Sequence, residues 1–201
     1  DDVDIAYYTS IDNLFLMLPC KAKKKEYIGK LAIMNISYMN DPNEGKTLQK
    51  FLYGKEIERT RGKRRDVRVP YVFLKCFTTQ IDYLPMWEMY ADHAEGCCIV
   101  INWNKIRQYN TEKSVPLYRV LYLTENSGEY AITRTKNPHI KEFTRVKQYL
   151  NVLKDNAVFI STRKEALNIF GKLLSDIIYL FKDSSYSYEQ EMRIIYSYDS
   201  V

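Results

Sequence analysis

The chain has 201 residues, 46% apolar and 27% charged, with a net charge of +5. That is ordinary for a soluble globular protein and long enough for one well-buried core, or at most two small ones. No run approaches the ~18 consecutive apolar residues of a membrane helix, no secretory leader is visible, and four cysteines at 20, 76, 97 and 98 lack C-x-x-C spacing. A membrane span, a secreted disulfide framework and a zinc site are therefore not expected, and reduced thiols in a cytoplasmic compartment are. The chain starts at Asp1 rather than Met, as a piece of a longer protein would.

In chain order, "IAYYTS" (Ile5 to Ser10) alternates and reads as a short strand. Ser10 then suits the N-cap of a helix over "IDNLFLML", stopped by Pro19. In "KLAIMNISYMNDPNEGKTLQKFLYG" the first part is strand-like or extended, "NDPNEG" is turn chemistry, and a short helix follows through "KTLQKFLYG". "YVFLKCFTT" (Tyr71 to Thr79) predicts a strand, and "LPMWEMYADHAEG" a compact helix with Pro85 in its first turn and Gly96 closing a turn. "CCIVINW" predicts a strand buried on both faces, with Cys97 and Cys98 pointing to opposite sides. "VPLYRVLYLT" (Val115 to Thr124) predicts another strand. Two amphipathic helices are expected at about 140–154 and 163–182, the second from Leu167, Phe170, Leu174, Ile177, Ile178 and Phe181 at helical spacing. "MRIIYSY" is the last strand. The expectation is a single α+β domain over 1–201, with a twisted mixed or antiparallel sheet and inserted helices.

Eighteen tyrosines lift the aromatic share to 14%, which suits half-buried strands or a stacking pocket. Four clusters are richer in polar or aromatic groups than packing requires. They are Tyr7, Tyr8, Thr9 and Ser10; Asn40, Asp41 and Glu44; Thr78, Thr79, Trp87, Glu88, Tyr90, Asp92 and His93; and Glu189, Glu191 and Arg193. Each also has a plain reading: a turn at "NDPNEG", a core stripe for Trp87 and Tyr90, exposed turn residues around His93, a strand rim for the two glutamates. No G-x-S-x-G motif, no P-loop and only two histidines occur, which leaves carboxylates and hydroxyls as the reactive groups. Side chains at i and i+2 of a strand share a face, so Glu189 and Glu191 can both serve one pocket. Cleavage of an N-glycosidic bond, such as that between nicotinamide and ribose, uses a carboxylate to stabilise an oxocarbenium-like transition state. The basic runs "KAKKKE" (Lys21 to Glu26) and "ERTRGKRRDVR" (Glu58 to Arg68), with Arg61, Arg64 and Arg65, read as solvated loops or as an anion site.

The ordered strings "YMNDPNEG", "CFTT", "LPMWEMYADHAEGCCIVI" and "YSYEQEMRII" resemble the bacterial family called domain of unknown function 2971. The resemblance spans Tyr38 to Ile195. More loosely, "YYTSIDNLFLML", "CFTT" and "YEQEMRII" are similar to the opening strand, Ser/Thr-rich middle strand and E-x-E end of the ADP-ribosyltransferase-like superfamily. The superfamily's frequent Arg or His in the opening strand is replaced by Tyr8, and the gap from Thr79 to Glu189 is long. That similarity implies NAD as substrate, without a metal. Tyr8 and Thr9 would hold the adenosine side, Thr78 would brace the nicotinamide pocket, and Tyr90 or Trp87 would stack on nicotinamide. Glu191 would stabilise the ribosyl cation, and Glu189 would orient an acceptor, protein or nucleic acid. It places the chain in bacterial stress or phage defence, off the membrane. Two other readings stand beside it: a binding module whose 59–68 loop contacts nucleic acid or an acidic partner, and a nuclease holding Mg²⁺ on Asp41, Glu44 and Glu189.

Overall fold

The computed structural model describes residues 3–18, 31–54, 72–109, 115–126, 129–132, 140–163, 174 and 177–197. The fold is α+β, and its backbone gathers into two compact units. The first comprises Asp1–Tyr38, Tyr71–Arg119 and Glu189–Val201; the second comprises Met39–Pro70 and Val120–Tyr188.

In the first unit, β1 (Asp4–Thr9), β2 (Met34–Asn35), β3 (Val72–Thr78), β4 (Cys97–Asn102), β5 (Tyr118–Arg119) and β9 (Glu191–Ser197) form one sheet. Its order is β4-β1-β3-β9-β5, with β2 also on β3. All of its pairings are antiparallel. On one face Ile5, Phe77 and Met192 pack with Trp103 as the core, with Tyr7, Ile101 and Ile194 around it. Trp103 opens a short helix, α4 (Trp103–Tyr109), that the sequence reading had not anticipated. Ser10 does cap α1 (Ile11–Met17), its hydroxyl accepting from Asn13 N at 3.3 Å. That bond satisfies one of the donors a helix leaves unpaired at its start.

The expected two-sided burial of "CCIVINW" does not hold. Among the described residues β4 pairs only with β1, at the end of the sheet, and Val100 is 49% exposed. The expected single strand over 115–124 also breaks in two. Tyr118–Arg119 joins β9, whereas β6 (Leu121–Asn126) belongs to the second unit's sheet. The extended stretch before the "NDPNEG" turn is only two residues long, passing at once into a 3-10 turn over Ile36–Tyr38.

The second unit holds a three-stranded sheet, in which β7 (Glu129–Ile132) runs antiparallel to β6 and β8 (Phe181–Asp183) runs parallel to it. Helices α2 (Thr47–Tyr53) and α5 (Ile140–Ser161) accompany the sheet. Helix α2 packs against α5 and against β6 and β8, burying Leu48, Phe51 and Leu52. Gly54, with φ +69, ends α2 in the left-handed conformation that lacks a steric penalty only for glycine. The expected helix over 163–182 ends differently: Ile178–Leu180 is a 3-10 turn and Phe181–Asp183 a strand. Most of the rest of that segment lies outside the described residues. An apolar run such as "IIYLF" carries no period that separates a buried strand from a buried helix.

Helix α3 (Leu84–Tyr90) leads into β4 through a turn whose residues Asp92, His93 and Ala94 all have positive φ, 51°, 53° and 69°. Asp and His tolerate this region better than most residues, and Ala does not. Gly96 follows, and a Cβ there would stand 2.2 Å from the Thr9 carbonyl oxygen, a backbone atom held in the β1–β4 pairing. Gly96→Ala is expected to lower unfolding free energy by about 1–3 kcal/mol, the usual range for forced overpacking. An unchanged urea midpoint would contradict this close approach.

Candidate functional site

Opposite the apolar core, the first unit's sheet carries a polar face. Ala6 lies opposite Thr78, Thr78 opposite Glu191, and Cys76 opposite Arg193. Because alternate strand residues share a face, Tyr8, Thr78, Glu191 and Arg193 stand on one side and Ile5, Phe77 and Met192 on the other. Thr9, one residue on from Tyr8, is turned to the opposite face.

Glu191 and Arg193 form a bidentate pair. Arg193 Nε donates to Glu191 Oε1 at 2.8 Å and Nη2 donates to Oε2 at 3.0 Å. The arginine is 0% exposed and the glutamate 5%. Both carboxylate oxygens thus accept from a permanently charged fork, the strongest arrangement available to such a pair.

Glu189 sits just before β9, at the end of a 3-10 turn over Ser184–Glu189, and is 3% exposed. Its Oε1 accepts the Tyr90 hydroxyl at 2.6 Å, and its backbone carbonyl accepts the Thr78 hydroxyl. Thr78 Oγ1 also accepts from Gln80 N at 2.9 Å. Gln190, between the two glutamates, has φ +42. Thr79, the residue after β3, donates to Gln190 Oε1 at 3.1 Å.

Helix α3 supplies the aromatic side. The Tyr8 hydroxyl donates to Gln80 O and accepts from Tyr83 N, both at 3.0 Å. The Tyr8 ring meets Trp87 edge-on, with centroids 5.3 Å apart. Burial pushes the Tyr8 phenol above its ordinary value, an effect the Tyr83 N–H partly offsets. Trp87 Nε1 donates to Asp82 Oδ1 at 3.0 Å, and Asp82 itself has φ +56. Trp87 and Tyr90 are half-buried.

The structure therefore brings together Tyr8, Thr78, Thr79, Trp87, Tyr90, Glu189, Glu191 and Arg193. Asn40, Asp41 and Glu44 belong to the second unit, where Asp41 Oδ1 accepts from Asn43 N at 2.8 Å and shapes the turn. Arg61, Arg64, Arg65, the two basic runs, Cys20 and His139 lie outside the described residues. Sequence reasoning missed Asp82, Gln80 and Gln190. Only Asp82 carries a signal, since Asp tolerates the left-handed conformation in turns.

Among the described residues no group of three or more His, Cys, Asp or Glu could hold a metal ion. No described helix is long and apolar enough to cross a membrane.

The model of a family described as "Protein of unknown function (DUF2971)" matches residues 86–194, more than half of the chain. The chain belongs to that family. The part shared with DUF2971 takes in Trp87, Tyr90, Glu189, Glu191 and Arg193, and leaves Tyr8, Thr78 and the "NDPNEG" turn outside it. No curated protein and no solved structure matches the chain.

His93 bonds Glu88 Oε1 through Nδ1 at 3.0 Å on the exposed side of α3. The Glu88 contact, first as a hydrogen bond and then as a charge, raises its pKa above 6.5, and Asp92 and Glu95 act in the same direction. A folded-state pKa above the unfolded one means stabilisation fully present below about 6.5 and lost as pH rises through the raised value. NMR titration is expected to place His93 above 6.5 and Glu88→Gln to bring it back down. A wild-type value at or below 6.5 would contradict the contact.

Proposed function

We propose that this DUF2971 member binds NAD and breaks the bond between nicotinamide and ribose, passing ADP-ribose to a macromolecule, protein or nucleic acid, or to water. The observation that carries the reading is the contact of Tyr90 with Glu189 at 2.6 Å, beside Thr78 and with Tyr8 and Trp87 on the same helix-covered face. These groups match the needs of the chemistry. An oxocarbenium-like ribosyl cation is stabilised by a carboxylate. An indole or phenol face stacks the departing base. Hydroxyls orient the sugar.

In the reaction, the C1′–N bond breaks with both electrons leaving on neutral nicotinamide. The oxygen of the acceptor or of water bonds C1′ and releases its proton to solvent. Free thiols at Cys76, Cys97 and Cys98 fit the cytoplasm, and a role in bacterial stress or phage defence is consistent with that setting.

The test is incubation of the purified chain with NAD, following nicotinamide by chromatography, and with labelled NAD in lysate. Nicotinamide release or a labelled target is expected. The absence of both would overturn the reading.

A further inference from the structure

We infer that Lys75 marks a second binding site, for a small organic anion with a carboxylate or phosphate head on an apolar body. The site lies on the opposite side of the first unit's sheet from Thr78, Glu191 and Arg193, and is separate from the proposed NAD site.

Lys75 is on β3, two residues before Phe77, and its partner across β9 is Ile194. Alternate strand residues share a face. The lysine therefore stands on the apolar side, with Phe77 in the core and Tyr7 and Ile194 packed against it. It is 6% exposed. Lysine is almost never buried so far without an acid to pair it. Here the ammonium meets the ring of Tyr7, with Nζ 3.5 Å from the centroid. Among the described residues no hydrogen bond or ion pair reaches it.

The ring does not replace a counter-charge. An ammonium carries three N–H donors, and the Tyr7 ring covers one side of the nitrogen. A cation–π contact offsets only part of what burial takes from a strongly hydrated ammonium. Nor is Nζ sealed off: the enclosed polar atom without a partner among the described residues is Asp41 Oδ2. The apolar stem of Lys75 is buried while its tip reaches solvent, the usual compromise of a long charged side chain. An acceptor arriving from solvent can meet that tip.

The neighbours define the acceptor. Tyr7, Phe73 and Ile194 are half-buried, and Phe73 shares the lysine's face of β3. Carbon walls around a single well-placed charge are the usual make-up of a small-molecule site. Inorganic phosphate would give up water to those walls and gain little from them. A neutral aromatic compound would leave the ammonium as it is. An anion on an apolar body satisfies both the charge and the walls.

The test titrates the purified chain, followed by NMR, with benzoate, phenyl phosphate, benzamide and inorganic phosphate. Wild type is expected to bind benzoate and phenyl phosphate about tenfold or more tightly than benzamide or inorganic phosphate. The Tyr7 ring resonances are expected to shift with the first two compounds. Lys75→Met, whose side chain suits an apolar face, is expected to lose about tenfold or more in benzoate affinity.

Equal affinity for benzoate and benzamide, or unchanged benzoate binding by Lys75→Met, would overturn the site. Tyr7 resonances that ignore both anions would overturn it as well, and that measurement needs no variant to fold. None of these outcomes bears on nicotinamide release, which tests the NAD reading by itself.

Discussion

The antiparallel register of β9 on β3, from Val72 opposite Ser197 to Thr78 opposite Glu191, is the constraint from which the candidate site follows. On one face of that pairing lie Phe77 and Met192, in the apolar core; on the other lie Thr78, Glu191 and Arg193. A slip of one residue would exchange these sets, pressing Arg193 into the core and turning Met192 to the polar side. Both members of the Glu191–Arg193 pair lie on β9 and would move together, so what opposes the slip is the cost of carrying that charged pair into the apolar core and Met192 out of it. Because the register is fixed, Glu189 is delivered two residues upstream of Glu191, within reach of Tyr90 on α3 and of Thr78 on β3.

Helix α3, whose Tyr90 reaches Glu189, is itself tied down at both ends. At its start the Tyr8 hydroxyl joins β1 to Gln80 and Tyr83. At its end Ala91 N and Ala94 N both donate to Trp87 O, and Gly96 N donates to Ala91 O at 2.7 Å. Between those last bonds the backbone passes through three consecutive left-handed residues. Such conformations persist only where the surroundings over-determine them, and they gather at sites where position matters. Here they let a seven-residue helix end and β4 begin with Gly96 lying directly on the Thr9 carbonyl.

Local chemistry made much of this legible. The strand-forming runs "YVFLKCFTT" and "MRIIYSY", the Ser10 cap and the Pro85 start each depend on neighbours in sequence, and each is present in the fold. What the sequence hid was partnership. The apolar run of β4 read as a central strand, but nothing in it says that only β1 lies beside it. Val120 is apolar and buried, so the change of sheet between Arg119 and Leu121 carries no turn residue to mark it. In the site, the i, i+2 strand spacing expected to align Glu189 with Glu191 does not apply, because Glu189 closes a 3-10 turn and the strand starts at Glu191. The bond from Tyr90 to Glu189 spans a separation of 99 residues, and no local pattern specifies it. The positive φ of Gln190 likewise depends on what Thr79 holds, not on its own type.

The central claim is that Glu191 and Arg193 act as one buried charged unit on the face of β9 opposite the apolar core. The most direct measurement is a double-mutant cycle on Glu191→Gln and Arg193→Met, followed by urea unfolding. The account predicts a coupling energy of about 2 kcal/mol or more, because each single change already breaks a bidentate contact between two buried charges. Single changes that add to within about 0.5 kcal/mol would contradict it.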